Sequence, residues 1–157
     1  MKIGIGVDFH KFAEKRKLVI GGVNIPYKKG LLGHSDADVL LHAICDALLG
    51  AIGEGDIGEH FPDAEPKYKD ISSLRLLDEV FVKVEERGYH VRNVDTVIIC
   101  EEPKLSSYKE QMRENIADVL KIGKDSVNIK ATTAEGMGSI GKGEGVAAYA
   151  VVLLEEQ

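Results

Sequence analysis

The sequence predicts an α+β fold: a two-layer sandwich in which helices cover one mixed β-sheet, with a small β-hairpin added. Three observations predict it. Strand-like runs alternate with long helix-like segments, the last third supplies two consecutive strands, and Gly21-Gly22 separates two short apolar runs. With 157 residues and 44% hydrophobic content, the chain is long enough to bury one sizeable core. No repeat, linker or composition break divides it, so residues 1–157 are expected to form a single domain.

Each element has its own signal. Lys2 to His10 is an apolar strand-like run, and Leu18 to Ile20 and Val23 to Ile25 read as a hairpin because Gly-Gly supplies the positive φ of a tight turn. Asp36 to Ile52 is predicted as a helix: Leu40, Ile44, Ala47, Leu48, Ala51 and Ile52 recur at helical spacing, Ser35 or Asp36 can cap it, and Gly53 can end it. Val39, Leu41 and Leu49 widen the apolar surface, so this helix is expected to be well buried. Gly53 to Asp70 reads as a loop, because Pro62 and Pro66 disfavour regular helix. A second helix is expected from Ser72 to Arg87, a strand from Val94 to Cys100, and a third helix ending near Leu120 behind a capping box at Ser107-Tyr-Lys-Glu110. Val127 to Thr132 and Val146 to Leu154 are the closing strands, joined by a Gly-rich connection.

A net charge of -6 without a dense Lys/Arg run argues against nucleic acid or an anionic membrane as a partner. No apolar stretch approaches membrane-spanning length, and the N-terminus lacks the pattern of a secretion signal. Cys45 and Cys100 form no C-x-x-C pair, so they read as buried thiols, and a cytoplasmic location is expected.

Asp8 and His10 end the first strand-like run and, at i and i+2, point to one side while Val7 and Phe9 point to the other. A carboxylate and an imidazole on one strand face can grip a divalent cation. His42 would complete a three-ligand set with a coordination position left open. On the helix, Asp38, His42 and Asp46 form one polar stripe at four-residue spacing, which allows two readings. Either Asp38 or Asp46 orients His42 as a metal ligand, or His42 is a core histidine satisfied by one of them.

Gly136 to Gly141 fits G-x-G-x-x-G, and Gly136 to Lys142 fits most of a phosphate-binding loop. Both motifs must open a helix, whereas this segment runs through Gly143 and Gly145 into a strand, so neither reading is adopted. Thr132-Thr-Ala-Glu135 places two hydroxyls and a carboxylate at a strand end, chemistry suited to phosphate and Mg²⁺ or to a solvated terminus. Cys100 to Ser106 offers backbone groups and Lys104 to a polar heterocycle, or is simply a loop leading into a helix.

Together these segments resemble the 2-C-methyl-D-erythritol 2,4-cyclodiphosphate synthase family. The motifs are Gly6-Val-Asp-Phe-His10, Ile20 to Pro26, Leu31 to Asp38 with His42, Gly55 to Gly58, Phe61-Pro-Asp63, Pro103-Lys104, Ala131 to Glu135 and Gly141 to Gly145. The resemblance covers essentially the whole chain. It implies a phosphorus-oxygen lyase of non-mevalonate isoprenoid biosynthesis, a homotrimer with active sites between subunits. Its substrate would be CDP joined to methylerythritol 2-phosphate, closed to a cyclic diphosphate with release of CMP.

By that resemblance Asp8, His10 and His42 hold Zn²⁺, and Glu135 helps place Mg²⁺ or Mn²⁺ on the diphosphate. Asp56, with Ile57 and Gly58, meets the erythritol, and Phe61, Pro62, Asp63, Ala64 and Glu65 form a mobile lid. His34 and Ser35 meet phosphate, and His34 and Thr133 stabilise transition-state charge. Cys100, Glu101, Glu102, Pro103, Lys104, Leu105 and Ser106, with Ala131, Thr132, Thr133 and Ala134, form the cytidine pocket. Ser139 and Lys142 stand where better-known members carry an aromatic residue and Arg, positions that in some members line a trimer cavity holding an isoprenoid diphosphate; Lys lacks the planar fork of Arg. Two other classes remain open at this point: a metal-dependent nucleotide diphosphate hydrolase, and a trimeric binding protein in which the Asp/His set only staples structure.

Overall fold

The computed structural model describes residues 1–157. β1 (Lys2–Ala13) alternates between two environments. Gly4 and Gly6 are buried, while Ile3, Ile5, Val7 and Phe9 lie on the other face at 71%, 68%, 39% and 58% exposure. β2 (Leu18–Ile20) and β3 (Val23–Ile25) form the predicted hairpin. Gly21 and Gly22 turn it at φ 60° and 73°, the paired positive values that a two-residue turn of matching twist requires. β4 (Gly30–Leu31) then adds a short edge to β1.

The helices are α1 (Val39–Ile52), the single turn α2 (Ile57–His60), α3 (Ser73–Glu86), α4 (Lys109–Leu120) and the single turn α5 (Gly138–Gly141). The remaining strands are β5 (Tyr89–Ile99), β6 (Val127–Thr132) and β7 (Gly145–Glu156). The sheet runs β4-β1-β7-β5-β6, with β7 antiparallel to both β1 and β5, and β5 parallel to β6. The parallel pair needs a crossover, which α4 provides. This is the predicted mixed sheet with helices over one face.

α1 is apolar nearly all round because it lies between β1, β7 and α3. It approaches β1 at Gly4 and Gly6, where a Cβ would fall 1.8 Å from the Ala47 carbonyl oxygen and 1.9 Å from that of Ala43. Asp8 and His10 continue the same side-chain phase, so they emerge beside α1 where this close packing ends.

The boundaries correct several expectations. β1 extends three residues past His10. α1 starts at Val39 behind Asp38, not behind Ser35 or Asp36, because Ala37 sits at φ 59° and breaks the helical path. The loop from Gly53 to Asp70 contains α2 and a short 3-10 turn at Pro66–Tyr68. The capping box at Ser107 is not formed: Ser106–Tyr108 is a 3-10 turn, so Ser107 lacks the extended backbone a cap needs, and α4 begins without a side-chain cap. The Gly-rich connection contributes only the one turn of α5 before β7.

Asp38 joins hairpin and helix. Its Oδ1 accepts from Gly21 N at 2.9 Å and Leu41 N at 3.1 Å, and its Oδ2 from Gly22 N at 2.7 Å. Burial, with the charge of Asp36, raises its carboxyl from 3.8 to about 6 against these donors. With the folded value above the unfolded one, Asp38's contribution is fullest below pH 3.8 and is lost as pH rises through about 6. Asp38→Ala is therefore expected to cost about 2 kcal/mol at pH 5 and about 1 kcal/mol less at pH 8. Urea denaturation at both pH values checks this, and an equal cost at both would contradict it.

Candidate metal centre and active-site cleft

Three side chains meet where β1 leaves the cover of α1. Asp8 Oδ2 lies 2.8 Å from His10 Nε2 and 3.4 Å from His42 Nδ1, and the two nitrogens are 3.3 Å apart. Tetrahedral ligands on bonds of about 2.0–2.1 Å stand roughly 3.3 Å from one another, so these three atoms form one face of such a shell.

The rings are oriented from behind. His10 Nδ1–H donates to the Leu32 carbonyl at 2.7 Å, which leaves Nε2 bare in the neutral tautomer. His42 Nε2 lies 2.9 Å from Ser73 Oγ and 3.1 Å from Ser35 Oγ. Asp8 Oδ2 is buried and receives no hydrogen bond of acceptable direction despite the short distances. Such an orphaned acceptor between two converging ring nitrogens is suited to a cation.

The electrostatics agree. Burial disfavours ionised Asp8, yet its contacts with His10 and His42 outweigh this and hold the carboxyl below its usual value. Burial likewise disfavours charge on His10, and Asp8 outweighs it and raises the imidazole's affinity for a proton. Positive charge is favoured at the point of convergence. Neither thiol competes for it: burial pushes Cys45 well above the usual thiol range and Cys100 to about 11.

The polar stripe on α1 does not act as either sequence reading assumed. Asp38 is committed to the N–H groups of Gly21, Gly22 and Leu41, and Asp46 Oδ1 accepts from Ile57 N at 2.8 Å. His42 turns instead to the hydroxyls of Ser35 and Ser73. Ser73 was missed because it lies on another helix; the only trace in the sequence is a Ser72-Ser73 pair at a helix start.

The triad opens into a cleft of about 230 Å³ whose lining includes His34, Ser35, Ile57, Gly58, Phe61 and Asp63. Ser35 Oγ accepts from Ala37 N at 3.1 Å. His34 Nε2–H donates to the Glu65 carbonyl at 3.1 Å. Phe61 is buried edge-on against Tyr68, while Pro62 to Glu65 are exposed. Asp56 caps α2 with Oδ1 on Glu59 N at 3.1 Å, and its residue remains exposed.

A second cavity, of about 150 Å³, gathers Cys100, Glu101, Pro103, Lys104, Leu105 and Ser106 with Ala131, Thr132 and Thr133. Glu101 Oε1 ties its two loops by accepting from Ala134 N at 2.6 Å. Glu102 lines an adjoining hollow, and Glu135 is exposed at φ 54° with its N–H on Thr133 Oγ1 at 3.2 Å. Ser139 and Lys142 line a third space of about 660 Å³ with Phe9, Lys11 and Glu144. The cleft and the second cavity share no residue.

Known proteins with this sequence pattern and fold are numerous. The model of the YgbB family matches residues 1–155. A protein of Geotalea uraniireducens named 2-C-methyl-D-erythritol 2,4-cyclodiphosphate synthase is 59% identical over 157 residues, with all of both chains covered. One of the same name from Alkaliphilus metalliredigens is 60% identical over 152 residues, covering 97% of this chain and 96% of that one. Among solved structures, the bifunctional IspDF of Campylobacter jejuni superposes with a TM-score of 0.95 at 43% identity, over 99% of this chain and 42% of that longer one. The CDP complex of Plasmodium falciparum IspF gives 0.87 at 33% identity, over 99% of this chain and 96% of that one. Matched along nearly its whole length in both sequence and fold, the chain belongs to the YgbB family.

Proposed function

We propose that this chain converts 4-diphosphocytidyl-2-C-methyl-D-erythritol 2-phosphate to 2-C-methyl-D-erythritol 2,4-cyclodiphosphate and CMP, a step of non-mevalonate isoprenoid precursor biosynthesis. The observation that carries the chemistry is the convergence of Asp8 Oδ2, His10 Nε2 and His42 Nδ1 in a cleft that also holds His34 and Ser35. An oxygen of the 2-phosphate bonds to the β-phosphorus as the bond from that phosphorus to the bridging oxygen breaks. The bridging oxygen keeps the electron pair and leaves in CMP. No water enters, and no protein group needs to become covalently bound.

Phosphate attacking phosphate faces charge repulsion, so positioning and charge compensation dominate the barrier. Divalent cations, Zn²⁺ on Asp8, His10 and His42 and Mg²⁺ or Mn²⁺ at Glu135, supply stabilisation of phosphate oxygens when bound. Ser35 Oγ accepts from Ala37 N and faces His42 Nε2, so its own proton can be given to a phosphate oxygen. His34 Nε2–H becomes available to phosphate when the segment from Phe61 to Glu65 moves away as a lid. Thr133 shares the stabilisation of transition-state charge, and the cavity around Cys100 to Ser106 takes the cytosine and ribose.

Asp56 has one oxygen on its own helix turn and one free for the erythritol hydroxyls. Asp56→Ala is expected to keep stoichiometric zinc while kcat/KM falls about tenfold or more, a loss near 1.4 kcal/mol. Unchanged kinetics would remove that role.

The functional unit in this reading is a homotrimer of single-domain chains, residues 1–157, with each site completed by a neighbour. Two features support it: the cleft and the nucleotide cavity are separate within one chain, and the outer face of β1 exposes Ile3, Ile5, Val7 and Phe9 beside Val151. Ile5→Glu is expected to shift the sedimenting species from trimer to monomer with at least about a tenfold loss of turnover, since the charge would be buried unpaired. A fully active trimer of that variant would contradict the assembly. The cytoplasmic assignment is supported by two free buried cysteines, and no helix is long and apolar enough to cross a membrane.

The product assay that tests the activity supplies the cytidylyl substrate with and without chelator and reads products by mass. CMP and the cyclic diphosphate in equal amounts, lost on chelation and restored by metal, are expected. A linear phosphorylated product would favour a hydrolase, and no CMP under any metal condition would overturn the enzymatic reading.

A further inference from the structure

A buried chain of hydrogen bonds runs behind His42. Ser73 is fully buried at the start of α3, and its hydroxyl donates to Asp36 Oδ1. Asp36 is itself fixed: Oδ2 accepts from Ser73 N at 3.0 Å, Oδ1 also accepts from Asp38 N at 3.2 Å, and its own N–H donates to the Ile71 carbonyl at 3.1 Å. A serine hydroxyl has one proton. With that proton given to Asp36, Ser73 Oγ faces His42 Nε2 at 2.9 Å with lone pairs only, so Nε2 must donate. A neutral imidazole has one N–H, which leaves Nδ1 bare toward Asp8 and His10.

We infer that Asp36 and Ser73 are positioning residues that lock His42 in its Nε2–H tautomer and aim Nδ1 at the metal. Ser35 cannot do this by itself. Its hydroxyl also lies within reach of Nε2, at 3.1 Å, but no carboxylate claims its proton, so it can face either tautomer. Without the Asp36–Ser73 pair, a hydroxyl could donate to Nε2 and move the ring proton onto Nδ1, where it blocks the ligand position. The inference rests on the reading that Asp8, His10 and His42 hold a divalent cation, but its first consequence is visible without one.

The test uses full-length protein labelled with ¹⁵N-histidine, freed of zinc, at pH 8, with the tautomer read from two-bond ¹H–¹⁵N correlations. Wild type is expected to carry the His42 proton on Nε2; any other protonation pattern overturns the inference, whatever the variants do. Ser73→Ala is expected to lose this single tautomer and to weaken zinc binding by about tenfold or more, measured against a chromophoric chelator. Ser73→Thr, which keeps the Oγ, is expected to restore both. Zinc affinity within twofold of wild type and an unchanged tautomer in Ser73→Ala would overturn the inference, as would a folded Ser73→Thr that restores neither. Failure of wild type to bind zinc would instead defeat the metal reading, leaving the tautomer to decide this one.

Discussion

His42→Ala is expected to lose tightly bound zinc and turnover together: from one zinc per chain to almost none, with kcat down roughly a thousandfold or more. Two remaining donors, Asp8 and His10, cannot close the face that three atoms 2.8–3.4 Å apart define. The variant should still fold, because His42 lies in the first turn of α1, lines the cleft and is not part of the apolar core. Zinc should therefore raise the melting temperature of wild type and leave that of His42→Ala unmoved, since only a ligand that binds the folded state stabilises it. Elemental analysis showing stoichiometric zinc in the variant would sink the ligand assignment.

Gly6→Ala is the second large effect, and it acts on the scaffold. Its Cβ would sit 1.9 Å from the Ala43 carbonyl oxygen and 2.8 Å from Ala47 N, both backbone atoms of α1. A flexible side chain could give way, but a helix backbone cannot, so strand and helix must separate. We expect a loss of about 4 kcal/mol, above the usual range for overpacking, and a melting temperature lower by about 12 °C. Zinc affinity should fall with it, because Asp8 is the next residue on that face and its distance to His42 depends on the same contact. Gly50→Ala is the control. At that position the nearest atom to an added Cβ is Ile5 O at 3.9 Å, so the better helix former should be neutral or stabilising by up to about 1 kcal/mol. Equal destabilisation by both changes would show that the close approach is not what limits Gly6.

The two effects mark what was legible in the sequence. The i, i+2 phase of Asp8 and His10 is a property of any strand, and the apolar surface of α1 announces burial, so that pair and the buried helix were legible; that His42 joins the pair, and is not a satisfied core histidine, came from the family resemblance. The hairpin was legible because few dipeptides besides Gly-Gly suit a tight turn between short strands. The partners of His42 were not. Spacing along a helix shows which side chains are neighbours, but Asp38 lies at the N-terminus, where free N–H groups claim it, and the groups that orient His42 come from β4's flanking loop and from α3. Contacts between elements far apart in sequence leave no periodic trace.

The same limit explains the capping box at Ser107, where a local pattern yielded to a 3-10 turn. It also explains the start of α1, set by the left-handed Ala37, a conformation that nothing in an alanine announces. Conversely, the strand-forming residues C-terminal to the Gly-rich run kept it apart from phosphate-binding loops, since α5 is one turn and β7 begins at Gly145, a short turn later. Chemistry confined to one strand end was readable, while the hydroxyls behind it required the fold.

Under the proposed function, the triad and its cleft serve an attack by the substrate's own phosphate and not by water. Single-turnover reaction in ¹⁸O-labelled water, with both products read by mass, tests this most directly. Cyclic diphosphate and CMP with no label in either are expected. Label in CMP, or a linear phosphorylated product carrying one labelled oxygen, would make water the nucleophile and contradict it.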